Sequence, residues 1–402
     1  MEHLHGIIRN YDWGSHTALA QLTGWSYPTA EPEAEMWFGA HPGSPSPLGA
    51  DSSGNPGAKN NPVDTGDTLL QAIESDPQAT LGSKMAERYG RLPFLLKLLA
   101  ADRALSIQVH PTKQQAEEGF ARENAQNVPL DAFHRNYKDD NHKPELLVAL
   151  TTFHALAGFR PIPQTLDLMD ALGVDSLNPF AETLRNDPTS AGLRAVLEGF
   201  FGLEGAELSL VLDAVLPRAA EIAEVPGESP RWMVQTLRGI VKIAEQYPGD
   251  VGVLVALLLN HLVLEPGQAI YLDAGQLHAY LSGLGVEVMA NSDNVLRGGL
   301  TSKNIDVPEL MSLVSCEPLG DPTLQPDADG RYVTPAPEFS LQQLPTGGQA
   351  DVEGPAIVLS TDDSVRVNGQ PVAPAGAVWV AASDAPVRVA GRAFVACVGD
   401  KP

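Results

Sequence analysis

Cysteine is nearly missing from this chain. Only Cys316 and Cys397 occur among 402 residues, with no CxxC spacing, which argues for two plain thiols in a reducing compartment. Basic charge is scarce as well: 26 Lys and Arg stand against 50 Asp and Glu, a formal net charge of −24. That composition offers no broad phosphate-binding face and excludes nucleic acid as a partner. It also means that an anionic substrate would need a local inversion of the field, by a metal and a few Lys or Arg. Long apolar runs are absent. The most apolar stretch, Val251 to Leu264, is broken by Asn260 and His261 and reads as a buried helix running into a strand, not a membrane span. The opening Met1-Glu2-His3-Leu4-His5 lacks the basic-then-apolar order of a signal peptide, so a cytoplasmic protein without membrane contact is expected.

Proline and glycine are plentiful, 33 and 37 residues, which points to many turns and short strands. A chain of 402 residues is long for one core, so two or three domains are expected. Strands and turns are read over 1–41, including Ala34 to Gly39, and a polar surface loop over 42–67. Helix is expected from Thr68 to about Tyr89, then an apolar run Pro93 to Leu99 and a strand Leu105 to Val109. Thr112 and Gln115 have the spacing of a capping box before a helix to about Ala125. Strands follow at Leu146 to Leu150 and Phe153 to Phe159. The period then changes: Leu208, Val211, Leu212, Val215 and later Leu237, Ile240, Val241 mark helical faces between about Pro161 and Asn260. Breaks fall at Pro179, Pro188, Pro226-Gly227 and Pro248-Gly249. Strands return at Leu262 to Leu264, Ala269 to Leu272 and Val286 to Met289, and residues 319–402 read as all-β. The expected fold is therefore mainly β with an α-helical insertion.

Three short segments carry the chemistry. They are Ser106-Ile107-Gln108-Val109-His110-Pro111, Asn141-His142-Lys143-Pro144-Glu145-Leu146 and Gln276-Leu277-His278-Ala279-Tyr280. Gln108 and His110, two apart on a strand, share a face. With Glu145 and His278 they make an amide, a carboxylate and two imidazoles, a set that suits Zn²⁺ with room for water or substrate. Ligand type alone admits Fe²⁺ or Mn²⁺ too. On spacing alone the bland reading of such histidines, structural or exposed, carries the greater weight. It is the one given to His16, His41, His134, His154 and His261.

Longer strings shift that balance. Pro93-Phe94-Leu95-Leu96-Lys97, the Ser106–Pro111 segment, Asn136-Tyr137-Lys138-Asp139-Asp140-Asn141-His142-Lys143-Pro144-Glu145 and Glu287-Val288-Met289-Ala290-Asn291-Ser292-Asp293-Asn294-Val295-Leu296-Arg297-Gly298-Gly299-Leu300-Thr301-Ser302-Lys303 strongly resemble the type I mannose-6-phosphate isomerases. Asn10-Tyr11-Asp12-Trp13-Gly14-Ser15 and Ala34-Glu35-Met36-Trp37-Phe38-Gly39-Ala40-His41-Pro42 resemble them too. The resemblance covers about residues 10 to 310, and the C-terminal part matches by type rather than by motif.

The resemblance implies cupin-type (jelly-roll) β-barrels with a helical domain. The parts would be a catalytic cupin region at 1–160 and 261–318, helices at 161–260 and a C-terminal cupin-like domain at 319–402. It implies one Zn²⁺ per chain held by Gln108, His110, Glu145 and His278, and interconversion of D-mannose 6-phosphate and D-fructose 6-phosphate, here by a monomer. Such a reaction moves a proton between C2 and C1 through a cis-enediolate, so it needs a base, a stabiliser of oxygen charge and a phosphate grip. Glu287 and Asp293 are the base candidates, with ion pairing to Arg297 or Lys303 as their bland alternative. His142 and Lys143 are candidates for ring opening, or else support Glu145. Arg297, Lys303, Lys97 and Ser106 form the set for the phosphate and enediolate. Lys97 stands out because it interrupts an apolar run, where a lysine is costly unless something meets its charge. Tyr280, on the face of His278, could close the pocket. Two readings of other classes remain: a non-catalytic cupin that binds a sugar or metal, and an iron-dependent cupin oxygenase, which leaves the cations unexplained.

Overall fold

Apolar residues on both faces of a strand require cover on both sides. Phe94–Ala101 is such a strand, with all eight residues buried. A computed structural model, describing residues 1–49, 67–225 and 229–399, shows what covers it. The strand lies inside an eleven-stranded antiparallel sheet whose spine is the long strand His278–Ala290. Along that spine the pairs run from Gly283↔Ala101 to Ala290↔Phe94 on one side and from Gly285↔Ala149 to Met289↔Glu145 on the other. The start of the same strand pairs with Phe153–Phe159 and, through His278, with the two-residue strand Gln108–Val109.

The C-terminal strands form a seven-stranded sheet and a four-stranded one. Their sequence alternates as a strand buried on two different faces must. Ile357 and Leu359 pack with Leu96, Leu98, Val286 and Val288 against the central sheet. Ala356 and Val358 pack the other way, with Val365, Val378 and Val389. The seven-stranded sheet is thus a shared middle layer, and the first strand of the chain, Glu2–Leu4, is part of it through pairing with Ala377–Trp379.

Between Phe159 and Leu259 the described chain is helical. Arg231–Gln246 buries Met233, Leu237, Ile240 and Ile243 at spacings of four and three, which is the stripe of a helix with one face in a core. Val253 to Leu259 is buried throughout and enters the sheet as Leu259–Leu264. No helix of the described residues is long and apolar enough to cross a membrane.

Several expectations change. The strand over Leu105 to Val109 shrinks to Gln108–Val109, because neighbouring backbone groups bond off the ladder: Leu105 N–H to Tyr280 O, and Ile107 N–H to Gly299 O. The helix over Thr68 to Tyr89 is three short helices, interrupted at Asp76 and at Gly82. A helix at Ala18–Thr23 lies within the stretch read as strands and turns. Most of the 42–67 loop and the Pro226-Gly227 break lie outside the described residues, whereas Leu48–Gly49 pairs with His3 and Leu4. The capping box at Thr112 and Gln115 is present in both its hydrogen bonds.

Candidate active site

The backbone register gathers the site. Gln108 lies between two strands, paired with His278 on one side and with Arg297 on the other. Such cross-strand neighbours have Cβ atoms about 5 Å apart, so an amide, an imidazole and a guanidinium occupy one row. Glu145 begins its strand one strand away from His278, opposite Met289 on the shared spine. His110 follows the Gln108–Val109 strand, and its ring is fixed from behind, Nδ1 donating to Asn294 O at 2.7 Å.

His110, Glu145 and His278 are all buried, and their ligand atoms lie within 4.8 Å of one another. Both imidazoles spend their Nδ1–H on a carbonyl, His110 on Asn294 O and His278 on Gln276 O at 2.9 Å. Their Nε2 lone pairs therefore face the Glu145 oxygens, at 3.4 and 3.5 Å. Burial and then Lys143 push His110 down to about 4, so no proton fills that gap at neutral pH. Its Nε2 has no hydrogen-bond partner among the described residues. Lone pairs facing a carboxylate repel, and a cation between them removes the conflict. Two ligand atoms bonded tetrahedrally to one Zn²⁺ sit roughly 3.4 Å apart, which is the separation found. Gln108 turns its amide nitrogen to Ser106 Oγ at 3.4 Å and so leaves an oxygen as a fourth donor. The donor set fits zinc.

A second set of charges is satisfied within the protein. Lys97 Nζ lies 3.1 Å from Glu287 and 3.4 Å from Glu35, and Trp37 Nε1 donates to Glu35 at 2.7 Å. Burial alone would lower Lys97, but Glu35, Glu287 and Glu145 hold it well above the usual lysine range. Glu287 accepts from the Tyr280 hydroxyl at 2.8 Å. Burial raises the Glu287 carboxyl, Lys97 opposes this, and Glu145 and Glu35 raise it further, leaving it above the ordinary range. Lys143 Nζ meets Glu145 at 2.9 Å. Burial resists ionisation of Glu145, yet Lys143 and His110 overcome it and hold the carboxyl well below its usual range.

These groups border a cavity of about 670 Å³ lined by Lys97, Ser106, Gln108, Lys143, Asp293, Arg297 and Lys303, among others. Arg297 and Lys303 differ from the other cations. Neither side chain has an ion-pair or hydrogen-bond partner among the described residues. Arg297, and then burial, push Lys303 below its ordinary range. Two adjacent cations without a carboxylate, in a chain of net charge −24, make the local field inversion that an anion requires.

The structure separates the other expected residues. Asp293 is at the rim, its carboxylate 3.5 Å from His41 and its pKa lowered first by the hydrogen bond with His41. Glu287 and Tyr280 lie below the cavity lining, engaged with Lys97 and each other. His142 is turned away, as the neighbour of Lys143 in an extended segment would be. Its Nε2 meets Glu338, on the C-terminal side of the chain, at 2.8 Å. Glu35 and His41 were missed as site residues. Each sits in the strand-and-turn motif Ala34 to Pro42, and Glu35 carries a signal, an acid between the apolar Ala34 and Met36 at the start of a strand. Its partner could be found only from the register Trp37↔Lys97.

Known proteins resemble this chain throughout. The model of the phosphomannose isomerase type I catalytic domain matches residues 1–162. A mannose-6-phosphate isomerase from Escherichia coli is 40% identical, with all of both chains covered. The crystal structure of a mutant phosphomannose isomerase from Salmonella typhimurium superposes with a TM-score of 0.87 at 35% identity, covering 99% of each chain. A mannose 6-phosphate isomerase bound with zinc and yttrium gives 0.85, again at 35% identity and 99% of each chain.

Proposed function

The chain belongs to the type I phosphomannose isomerases, and we propose that its residues divide their reaction between the two kinds of charge described above. The enzyme interconverts D-mannose 6-phosphate and D-fructose 6-phosphate and uses Zn²⁺. The observation that carries the residue assignment is the unpartnered Arg297 and Lys303 pair one strand from the His–Glu–His group.

Gln108, His110, Glu145 and His278 would hold the zinc, which when bound supplies Lewis acidity toward the sugar oxygens. Arg297 and Lys303 bind the phosphoryl group, with the Ser106 hydroxyl beside them. Glu287 is the base. It shares a strand face with Met289, which lines the cavity, and its raised pKa suits proton abstraction next to a carbonyl better than the lowered one of Asp293. The Glu287 carboxylate, fixed by Lys97 and Tyr280 behind the cavity lining in the free protein, has to reach the bound sugar past Lys97 to take the C2 proton of the aldose and return it to C1. Lys143 offers the ammonium for proton transfer during ring opening. His142, bound to Glu338, braces the segment that leads into Lys143 and Glu145. Asp293 and His41 close the rim. The oxygenase reading leaves the Arg297 and Lys303 pair without a role, and the full-length relatives named as isomerases support the catalytic reading over the non-catalytic one.

The same reading takes the sheets as cupin-type barrels, with catalytic parts at 1–160 and 261–318, helices at 161–260 and a C-terminal part at 319–402. It takes the enzyme as a cytoplasmic monomer. Zinc-loaded protein should form fructose 6-phosphate from mannose 6-phosphate, and chelation should abolish it. Glu287→Gln should lower kcat by at least about 10³-fold while Asp293→Asn lowers it by about tenfold or less. The opposite order would transfer the role of base to Asp293.

A further inference from the structure

The loop that carries Lys303 leaves the zinc-ligand sheet at Gly299, whose carbonyl accepts from Ile107 N–H at 3.0 Å. Beyond that point it is held by the helical part of the chain. Asp250, in the corner between the helices Arg231–Gln246 and Gly252–Leu258, accepts three backbone N–H groups with one carboxylate. Gly252 N–H at 2.7 Å and Leu300 N–H at 2.8 Å reach Oδ1, and Thr301 N–H at 3.1 Å reaches Oδ2. The contact is close. A Cβ built on Gly299, which has φ +128°, would meet Gly252 Cα at 2.4 Å. Leu300 itself adopts φ +56°, a region a leucine rarely occupies unless its surroundings impose it. Its side chain is buried in the helical core, so the Asp250 carboxylate and that core impose the turn together. Leu300, Thr301, Ser302 and Lys303 then line the cavity, and Thr301 Oγ1 accepts from Lys303 N–H at 3.0 Å.

The same corner grips the neighbouring segment that leads to Ser106. Gln246 Oε1 accepts from Ala104 N–H at 2.9 Å, and the Tyr247 hydroxyl donates to Ala104 O at 2.6 Å, two residues before Ser106.

We infer that Asp250 is a positioning residue for phosphoryl recognition: its carboxylate folds the Leu300–Lys303 segment so that Lys303 is presented to the phosphoryl group beside Arg297. This rests on the reading of Arg297 and Lys303 as the phosphoryl site. Asp250 touches no substrate and no zinc ligand, so its loss acts on affinity for the anion and leaves the metal alone.

The test uses the full-length zinc-loaded enzyme and two variants that keep an acceptor oxygen, Asp250→Asn and Asp250→Ser. In Asp250→Asn the amide nitrogen must face at least one of the three N–H donors. KM for mannose 6-phosphate and the competitive inhibition constant of inorganic phosphate should rise together by roughly tenfold, with kcat within about threefold and zinc content unchanged. Arg297→Ala and Lys303→Ala are measured beside them. If these two weaken phosphate inhibition and neither folded Asp250 variant does, the inference is overturned and the phosphoryl site stands. If none of the four weakens it, the phosphoryl site is wrong and the inference falls with it. A fall in kcat or zinc content at constant KM and constant phosphate inhibition also overturns it. Should one Asp250 variant fail to fold, the other decides.

Discussion

The two walls of the pocket treat positive charge in opposite ways. On one, Lys97 is buried and Lys143 half-buried, and both are matched by Glu35, Glu287 and Glu145. On the other, Arg297 and Lys303 face the cavity with no carboxylate partner among the described residues, and Arg297 pushes Lys303 below its ordinary range. A matched charge is an organiser: it fixes a carboxylate's position and protonation before substrate arrives. An unmatched charge is a binding site held open. The difference teaches which cations can be removed at the cost of stability and which at the cost of affinity.

The contrast breaks most severely at the zinc ligands. Glu145→Ala should lower zinc content well below one per chain and cut activity by at least about 10³-fold, read by metal analysis with an assay of fructose 6-phosphate. Full activity without metal would remove the ligand assignment. Next comes Lys97→Met, which leaves Glu35 and Glu287 buried without their cation. It should cost about 3–5 kcal/mol in urea unfolding. Arg297→Ala strands no partner, so it should change unfolding by only about 0.5 kcal/mol or less while raising KM roughly 10–100-fold. Equal stability losses for the two variants would erase the distinction between the walls.

The smallest effect belongs to a charge kept out of the fold altogether. Burial holds His261 down at about 4, with its Nδ1–H donated to Gln235 O at 2.8 Å. Its folded pKa lies below its unfolded value of about 6.5, so the unfolded state binds more protons between those values. The stability from a neutral His261 is complete above about pH 6.5 and is lost as pH falls toward 4. Thermal midpoints of His261→Gln should therefore fall less steeply between pH 6.5 and 4 than those of the parent chain. Parallel pH profiles would show that His261 is not the group responsible. His154, 3.4 Å away, is pushed down by burial and then by Lys242, so it acts in the same direction on the parent profile.

Parts of this organisation are readable in the chain and parts are not. Gln108 and His110 announce themselves by a two-residue spacing beside strand residues, and Lys97 by interrupting an apolar run. Local pattern carries that information, as it does for the helices of 161–260 and the short strands after 319. The partners of those residues are set by register and by packing between distant segments, which a single sequence does not encode locally. Glu35 reaches Lys97 across 62 residues, and Glu338 reaches His142 across 196. His41 was read as one of the structural histidines because nothing nearby in sequence names Asp293. Asp250 follows the Pro248-Gly249 break, and nothing near it in the sequence names its bond to Leu300.

The claim that the walls divide the work is tested most directly by one double variant, Arg297→Ala with Lys303→Ala, assayed for zinc and for turnover of mannose 6-phosphate in the same preparation. The account predicts zinc content equal to the parent enzyme and KM raised by about 100-fold or more. A parent-like KM, or loss of zinc along with the cations, would contradict it.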